Sequence, residues 1–243
     1  MGLGRGALVE VTVGDDPDAW SAIGFAVDGD GVSRVGGVRI RPVGAGGRRG
    51  LLGWTLAGEV DDVGTGDIRN GDVDHVGHRD VRDVDGLPTT VAAATATGGD
   101  AATTAHPNGA TGLDHLVVVT PDLDRTTTAL AALGLDARRT REAGGGRLQR
   151  FFRLGEVILE VVGPAEPSGD GPATFWGLAF TVADIEATAA HLGDRAGPPR
   201  PAVQPGRRIT TLRGGAEGGV SVPVAFMSPH QRGRPGGAPG QRL

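Results

Sequence analysis

The chain has no cysteine, which removes disulfides, thiolate nucleophiles, iron–sulfur ligation and Cys-based zinc sites in one step. Any metal must be held by His, Asp or Glu. Lysine is absent too: all 24 basic residues are Arg, which excludes a Schiff base, a pyridoxal phosphate anchor and the lysine of a Walker-type phosphate loop. The 24 basic residues are outnumbered by 29 acidic ones, net charge −5, so there is no basic footprint for nucleic acid. No apolar run is long enough to cross a bilayer, and Met1 to Gly6 carries no apolar signal region. These absences lead us to expect a soluble cytoplasmic protein. What remains is 243 residues, 38% apolar, with Gly 44 and Pro 16: enough for a core, and rich in turns.

Residues 113–229 read as one short unit written twice. The first copy opens Leu113-Asp114-His115-Leu116-Val117-Val118-Val119, passes through Thr120-Pro121-Asp122-Leu123-Asp124 and closes on Val157-Ile158-Leu159-Glu160-Val161-Val162-Gly163-Pro164. The second opens Gly177-Leu178-Ala179-Phe180-Thr181-Val182, continues Ala183-Asp184-Ile185-Glu186 and closes Val222-Pro223-Val224-Ala225-Phe226-Met227-Ser228-Pro229. Both carry Gly-Arg-x5-Arg-x-Gly, as Gly146, Arg147, Arg153 and Gly155 and as Gly206, Arg207, Arg213 and Gly215. A repeat this short cannot bury a sheet face alone, so the copies are expected to pack and share a cleft.

Within the first copy the pattern is a β-branched strand over 115–120, then a helix capped by Asp122 or Asp124 with Ala129, Leu130 and Leu133 on one side. Three strands follow over 137–142, 148–154 and 156–162. The second copy has a strand over 178–182 and a helix over 185–192. Pro198, Pro199, Pro201 and Pro205 then forbid a central strand but allow a loop or edge, before strands over 209–212 and 220–227. Residues 7–60 look like a worn third unit with the start of a fourth. Residues 61–112 are acidic, then Ala/Thr/Gly-rich, and are expected to be linker because they offer little large apolar surface to repay ordering. The same argument makes 230–243 a disordered tail. His75 and His78, among Asp72, Asp74 and Asp80, have metal-binding chemistry but no helical pattern to hold it, and read as a solvated loop.

The βαβββ order, the Leu-Asp-His opening, the Pro-Asp-Leu-Asp helix start and the closing Leu-Glu-Val-Val-Gly-Pro resemble the vicinal oxygen chelate superfamily, the glyoxalase-like fold. The resemblance implies an α+β protein of paired βαβββ modules forming a cupped mixed sheet over 113–229, with a degenerate copy over 1–60. It implies a choice of functions, because that superfamily hosts isomerases, dioxygenases, epimerases and metal-free binding proteins. In its metal-dependent members each unit typically offers one ligand at the start of its first strand and one on its last. Carried over, those places are His115 and Glu160 in the first copy, Gly177 and Ala225 in the second, and Val9, Arg41 and Gly53 in the N-terminal part. The implied metal, Zn, Ni, Mn or Fe, therefore meets half of a ligand set. A symmetric homodimer pairing His115 and Glu160 of two chains is the one way to complete it.

Glu160 shares a strand face with Ile158 and Val162, and a carboxylate there is costly unless it is bonded or faces a wet cleft. His115 and Glu160 are thus the candidate catalytic or metal-binding pair. As a metal-free pair they would line a ligand cup or act as a general base. Arg147, Arg153, Arg207 and Arg213 recur at matched places and suit an anionic substrate, although a solvated strand face is the plainer reading of each. Trp176 and Phe175 are candidate pocket walls, with a core role as the alternative. Three functions follow: a glyoxalase-like cup that binds and can transform a small organic molecule, a metal-dependent lyase or ring-cleaving dioxygenase, and a non-catalytic, resistance-type sequestering protein.

Overall fold

The computed structural model describes residues 6–44, 46–58, 79–93, 104–214 and 219–230. In order they form β1 (Leu8–Val13), α1 (Pro17–Ala22), β2 (Ser33–Val35), β3 (Val38–Pro42), β4 (Leu51–Gly58), β5 (Arg79–Val84), β6 (Leu87–Ala93), β7 (Ala110–Val119), α2 (Leu123–Ala131), β8 (Arg139–Gly144), β9 (Arg147–Leu154), β10 (Val157–Pro164), β11 (Thr174–Val182), α3 (Ile185–Leu192), β12 (Arg200–Pro201), β13 (Arg208–Thr211) and β14 (Val224–Met227). The two longer helices start alike. Asp122 accepts from the Arg125 amide and Asp184 from those of Glu186 and Ala187, satisfying donors that the first turn leaves unpaired.

Two mixed sheets result, one ordered β2-β3-β1-β4-β6-β5 and the other β12-β13-β14-β11-β7-β10-β9-β8. One rule generates both. The first strand of each unit runs parallel to the last strand of the same unit, as β1 with β3, β4 with β6, β7 with β10 and β11 with β14. It runs antiparallel to the first strand of the neighbouring unit, as β1 with β4 and β7 with β11. The fold is therefore α+β with the unit present four times. β12, which holds Pro201, lies at the sheet edge, where a residue without an amide donor is tolerated.

A bulge recurs at the same point of every unit. Register shifts skip Val9 and Leu52 in the first sheet, and Asp114 and Trp176 in the second. Each immediately precedes the first inward-facing residue of its strand: Glu10, Gly53, His115 and Gly177. A bulge turns its extra side chain toward a face that strict alternation would deny it. The register thus corrects one assignment, since Glu10 and not Val9 stands where His115 stands.

Each sheet turns one face to a common core. Val11, Ile40, Trp20, Phe25 and Trp54 join Leu116, Val118, Leu159, Phe180 and Phe226 in a single apolar cluster. Phe25 lies 4.8 Å from Phe180 and 6.1 Å from Phe226, and Trp54 lies 5.3 Å from Phe175, so the two halves meet through rings.

The expected linker over 61–112 is corrected in part. Residues 79–93 form the hairpin β5–β6, which completes the fourth unit beside β4, and β7 begins at Ala110. Composition misled because a few apolar residues, Val84, Leu87 and Ala110, reach the core, and polar bonds add to the ordering. Asp85, in the hairpin turn, holds Arg125 of α2 at 2.7 Å, the His106 ring takes the Ala26 amide at 3.0 Å, and Asn108 donates to the Ile23 carbonyl at 3.0 Å. The N-terminal part therefore extends past residue 60 and holds two units. His75 and His78, and all of the tail after His230, lie outside the described residues. No helix among the described residues is long and apolar enough to cross a membrane.

Candidate functional site

Alternation on β7 and β11 sends Leu116, Val118, Leu178 and Phe180 into the core, and leaves His115, Val117, Gly177 and Ala179 on the opposite face. That face curls around a cavity of about 500 Å³. His115 and Glu160 both line it. His115 sits opposite Ile158, and Glu160 is two residues further along β10, a diagonal neighbour within reach of long side chains.

The pseudo-twofold relation between the units can be read from register. Leu116 pairs with Leu178, so His115 corresponds to Gly177; Glu160 opposes Val117 as Ala225 opposes Ala179, so Glu160 corresponds to Ala225. Gly177 is fixed by its surroundings: a Cβ there would stand 2.7 Å from the Pro223 carbonyl oxygen, which accepts the Leu178 amide at 3.0 Å. Gly53 has the same relation to the Pro88 carbonyl, at 3.1 Å. At Gly177 the backbone approach thus excludes a side chain, and with it a ligand, while at Gly53 a Cβ would be tight. Among the described residues no three His, Asp or Glu side chains gather as a metal site would need. The donor set of this cup does not fit a divalent metal.

Glu160 is instead held by an amide. Gln149 Nε2 donates to Glu160 Oε1 at 2.5 Å, while Gln149 Oε1 accepts from Arg141 Nε at 2.9 Å, and Arg141 lies over the Phe151 ring. Burial pushes the Glu160 carboxyl above its ordinary range, and His115 and Arg141 pull it back only in part. A raised carboxyl favours folding below its ordinary value of 4.5, and that contribution is lost as pH rises through the folded value. Glu160→Gln, which cannot ionise, is therefore expected to melt above wild type at pH 7. Its advantage should shrink toward pH 4, and thermal melts across that range check the sign.

The Asp114 bulge was not foreseen. It places Asp114 Oδ2 3.4 Å from His115 Nδ1 and 2.6 Å from Arg207 Nη1, both charge contacts rather than aligned hydrogen bonds. Burial raises the Asp114 carboxyl, but His115 and Arg207 outweigh it and hold the group below the usual range. Arg207 is 2% exposed. It donates to the Ser228 carbonyl at 2.8 Å and to Gln204 Oε1 at 2.7 Å. The solvated reading fails for this arginine. It holds for Arg213, which is exposed and bonds the Asp194 carbonyl. A single extra residue before His115 was the available signal, but in sequence a bulge looks like ordinary strand.

The other candidates divide. Arg153 and Trp176 line the cavity, whereas Arg147, the first residue of β9 next to the hairpin turn, does not. Trp176 occupies the bulge position equivalent to Asp114 and is 42% exposed, while its neighbour Phe175 packs on Trp54. In the N-terminal sheet the matching floor is charge-reversed and closed. Glu10 stands at the His115 place and Arg41 at the Glu160 place, and Glu10 accepts from Arg39 at 2.9 Å and from Arg41 at 3.0 Å. Burial raises the Glu10 carboxyl, and the two guanidiniums more than reverse it.

Over residues 112–216 the chain matches the model of the Glyoxalase/Bleomycin resistance protein/Dioxygenase superfamily. This segment belongs to that superfamily. No curated protein matches the chain. Among solved structures it is similar to a halotolerant catechol dioxygenase, with a TM-score of 0.54 and 13% identity over 94% of this chain and 87% of that one. A mutant 4-hydroxymandelate synthase from Streptomyces coelicolor gives a TM-score of 0.53 and 14% identity over 94% and 93% of the two chains. A xylose isomerase-like TIM barrel/4-hydroxyphenylpyruvate dioxygenase fusion protein gives 0.60 and 14%, covering 97% of this chain and 51% of that one. At such identities the likeness shows the fold alone. It extends the glyoxalase-like architecture over both halves, while the open cup lies in the half that the superfamily model matches.

Proposed function

We propose that the chain binds a small, partly apolar organic molecule in the cup of its C-terminal half without a metal, with His115 and Glu160 as the polar floor. The observation that carries this reading is the cavity of about 500 Å³, floored by two ionisable groups while Gly177 and Ala225 occupy the two matched places. Its size is that of a small-molecule pocket, and most of its lining is apolar: Val117, Ile158, Phe151, Ala179 and Met227 among others. A metal-free His/Glu floor can orient a polar group, or take a proton from one if the bound molecule presents it within reach. The Asp114 carboxylate lies 3.4 Å from His115 Nδ1, a charged neighbour to that side of the ring.

The test uses N-phenyl-1-naphthylamine, a neutral probe that brightens in apolar sites. One molecule is expected to bind per chain, with affinity unchanged by EDTA and lost in Ala225→Phe, which fills the cup. Purified protein is expected to contain far less than one Zn, Ni, Mn or Fe per chain. Stoichiometric metal that disappears in His115→Ala would restore the metal-dependent lyase or dioxygenase reading. Saturable binding without turnover of any bound compound would select the sequestering role.

A further inference from the structure

Charge is distributed unevenly around the cup. β8 and β9 present Arg139, Arg141, Gln149, Phe151 and Arg153 to it on one face, and Arg138 lines it just before β8. Arg141 is engaged by Gln149 and stacks over Phe151. Among the described residues, Arg138, Arg139 and Arg153 have no carboxylate partner, whereas Arg34, Arg39, Arg41, Arg125, Arg150, Arg207 and Arg208 each have one. Glu160 is the only acid among the described residues that lines the cavity, and its Oε1 already accepts from Gln149. The opposite wall carries no charge: Trp176, Ala179, Ile209, Ala225 and Met227 face in from β11, β13 and β14. A chain of net charge −5 has thus gathered four guanidiniums and one carboxyl at this apolar hollow.

We infer that the cup takes an organic oxyanion: a flat apolar body held against Trp176 and Met227, with its carboxylate, sulfonate or phosphate turned to the Arg139 and Arg153 side. This rests on the cup being the ligand site and adds the class of ligand. Guanidiniums pair with such groups through two parallel N–H bonds, and at the mouth of an apolar cleft their field is focused toward the ligand. The indole of Trp176, half out of its strand at the bulge, offers a face for a ring. Arg138, Arg139 and Arg153 are exposed, so neutralising them leaves the fold intact.

The experiment compares 1-anilinonaphthalene-8-sulfonate with N-phenyl-1-naphthylamine, which share the ring system and differ by the sulfonate. Energy transfer from Trp176 locates the bound dye, with Trp176→Phe as the control. The sulfonate is expected to bind at least ten-fold more tightly than the neutral dye, and added salt should weaken only the sulfonate. The double variant Arg139→Gln/Arg153→Gln should reduce that preference at least five-fold while leaving the neutral dye unchanged. Competition by 1-naphthoate and by 1-naphthyl phosphate then separates a carboxylate ligand from a phosphate one. Equal affinity of the two dyes, or a preference that the double variant does not alter, overturns the inference and leaves the cup as a binding site. Failure of both dyes to reach the cup overturns the inference together with the binding role.

Discussion

Arg207→Met is expected to cost about 3–5 kcal/mol of folding stability, the range for removing one partner of a buried ion pair. For a chain of this size that lowers the melting temperature by roughly 10 °C. The loss is large because the substitution strands Asp114 as a charge without its cation and leaves the Ser228 carbonyl and Gln204 without their donor. Asp114 also gives the pair a pH signature. Its carboxyl is held below the ordinary value of 3.8, so its contribution is present above that value and is lost as pH falls through the folded one. The gap between variant and wild type should therefore be widest near pH 7 and close in acid. Asp114→Leu/Arg207→Met removes both charges and should recover much of the loss, since an apolar replacement of the whole pair is often close to neutral. Denaturant titration checks each value. A single variant within about 1 kcal/mol of wild type would mean that the pair is solvated and does not brace His115.

Phe25→Ala is expected to cost about 3–5 kcal/mol, because it leaves a cavity where the halves meet. Phe25 is fully enclosed by Trp20, Phe180, Phe226 and the His106 ring, at centroid distances between 4.8 and 6.1 Å. Those partners come from α1, β11, β14 and the segment before β7, so no single element can collapse into the void. Phe180 and Phe226 lie on the strands whose other face forms the uncharged wall of the cup. Urea unfolding should show a lower midpoint, and dye binding should weaken alongside it. A variant that loses less than about 1 kcal/mol would show that the halves adhere through the Asp85, His106 and Asn108 bonds instead.

The duplicated openings and closings were legible because strand and helix periodicities survive in short stretches, and because Asp122 and Asp184 mark helix starts by their own chemistry. The four-fold repeat was only half legible. Residues 7–60 were recognisable as a worn unit with the start of another, but the hairpin over residues 79–93 was hidden by a composition rich in Asp, Thr and Ala. It is ordered by pairing with β4, by the Asp85 bonds to α2 and by the few apolar side chains it buries, Val84 and Leu87 in the main core. The same limit applied to Arg207. Sequence placed it in a repeat of arginines, and nothing local distinguishes the one that is buried from those that are not.

That His115 and Glu160, and across from them Gly177 and Ala225, stand at matched repeat positions was legible from the sequence through its resemblance to the superfamily, since residue identity at a repeat position needs no coordinates. Which side of a strand each residue faces depends on register. A bulge of one residue reverses that choice, and only the paired strands reveal it. Tertiary structure therefore decided that Asp114 joins His115, that Glu10 and Arg41 close the N-terminal floor, and that unpaired arginines gather on one wall of the remaining cup.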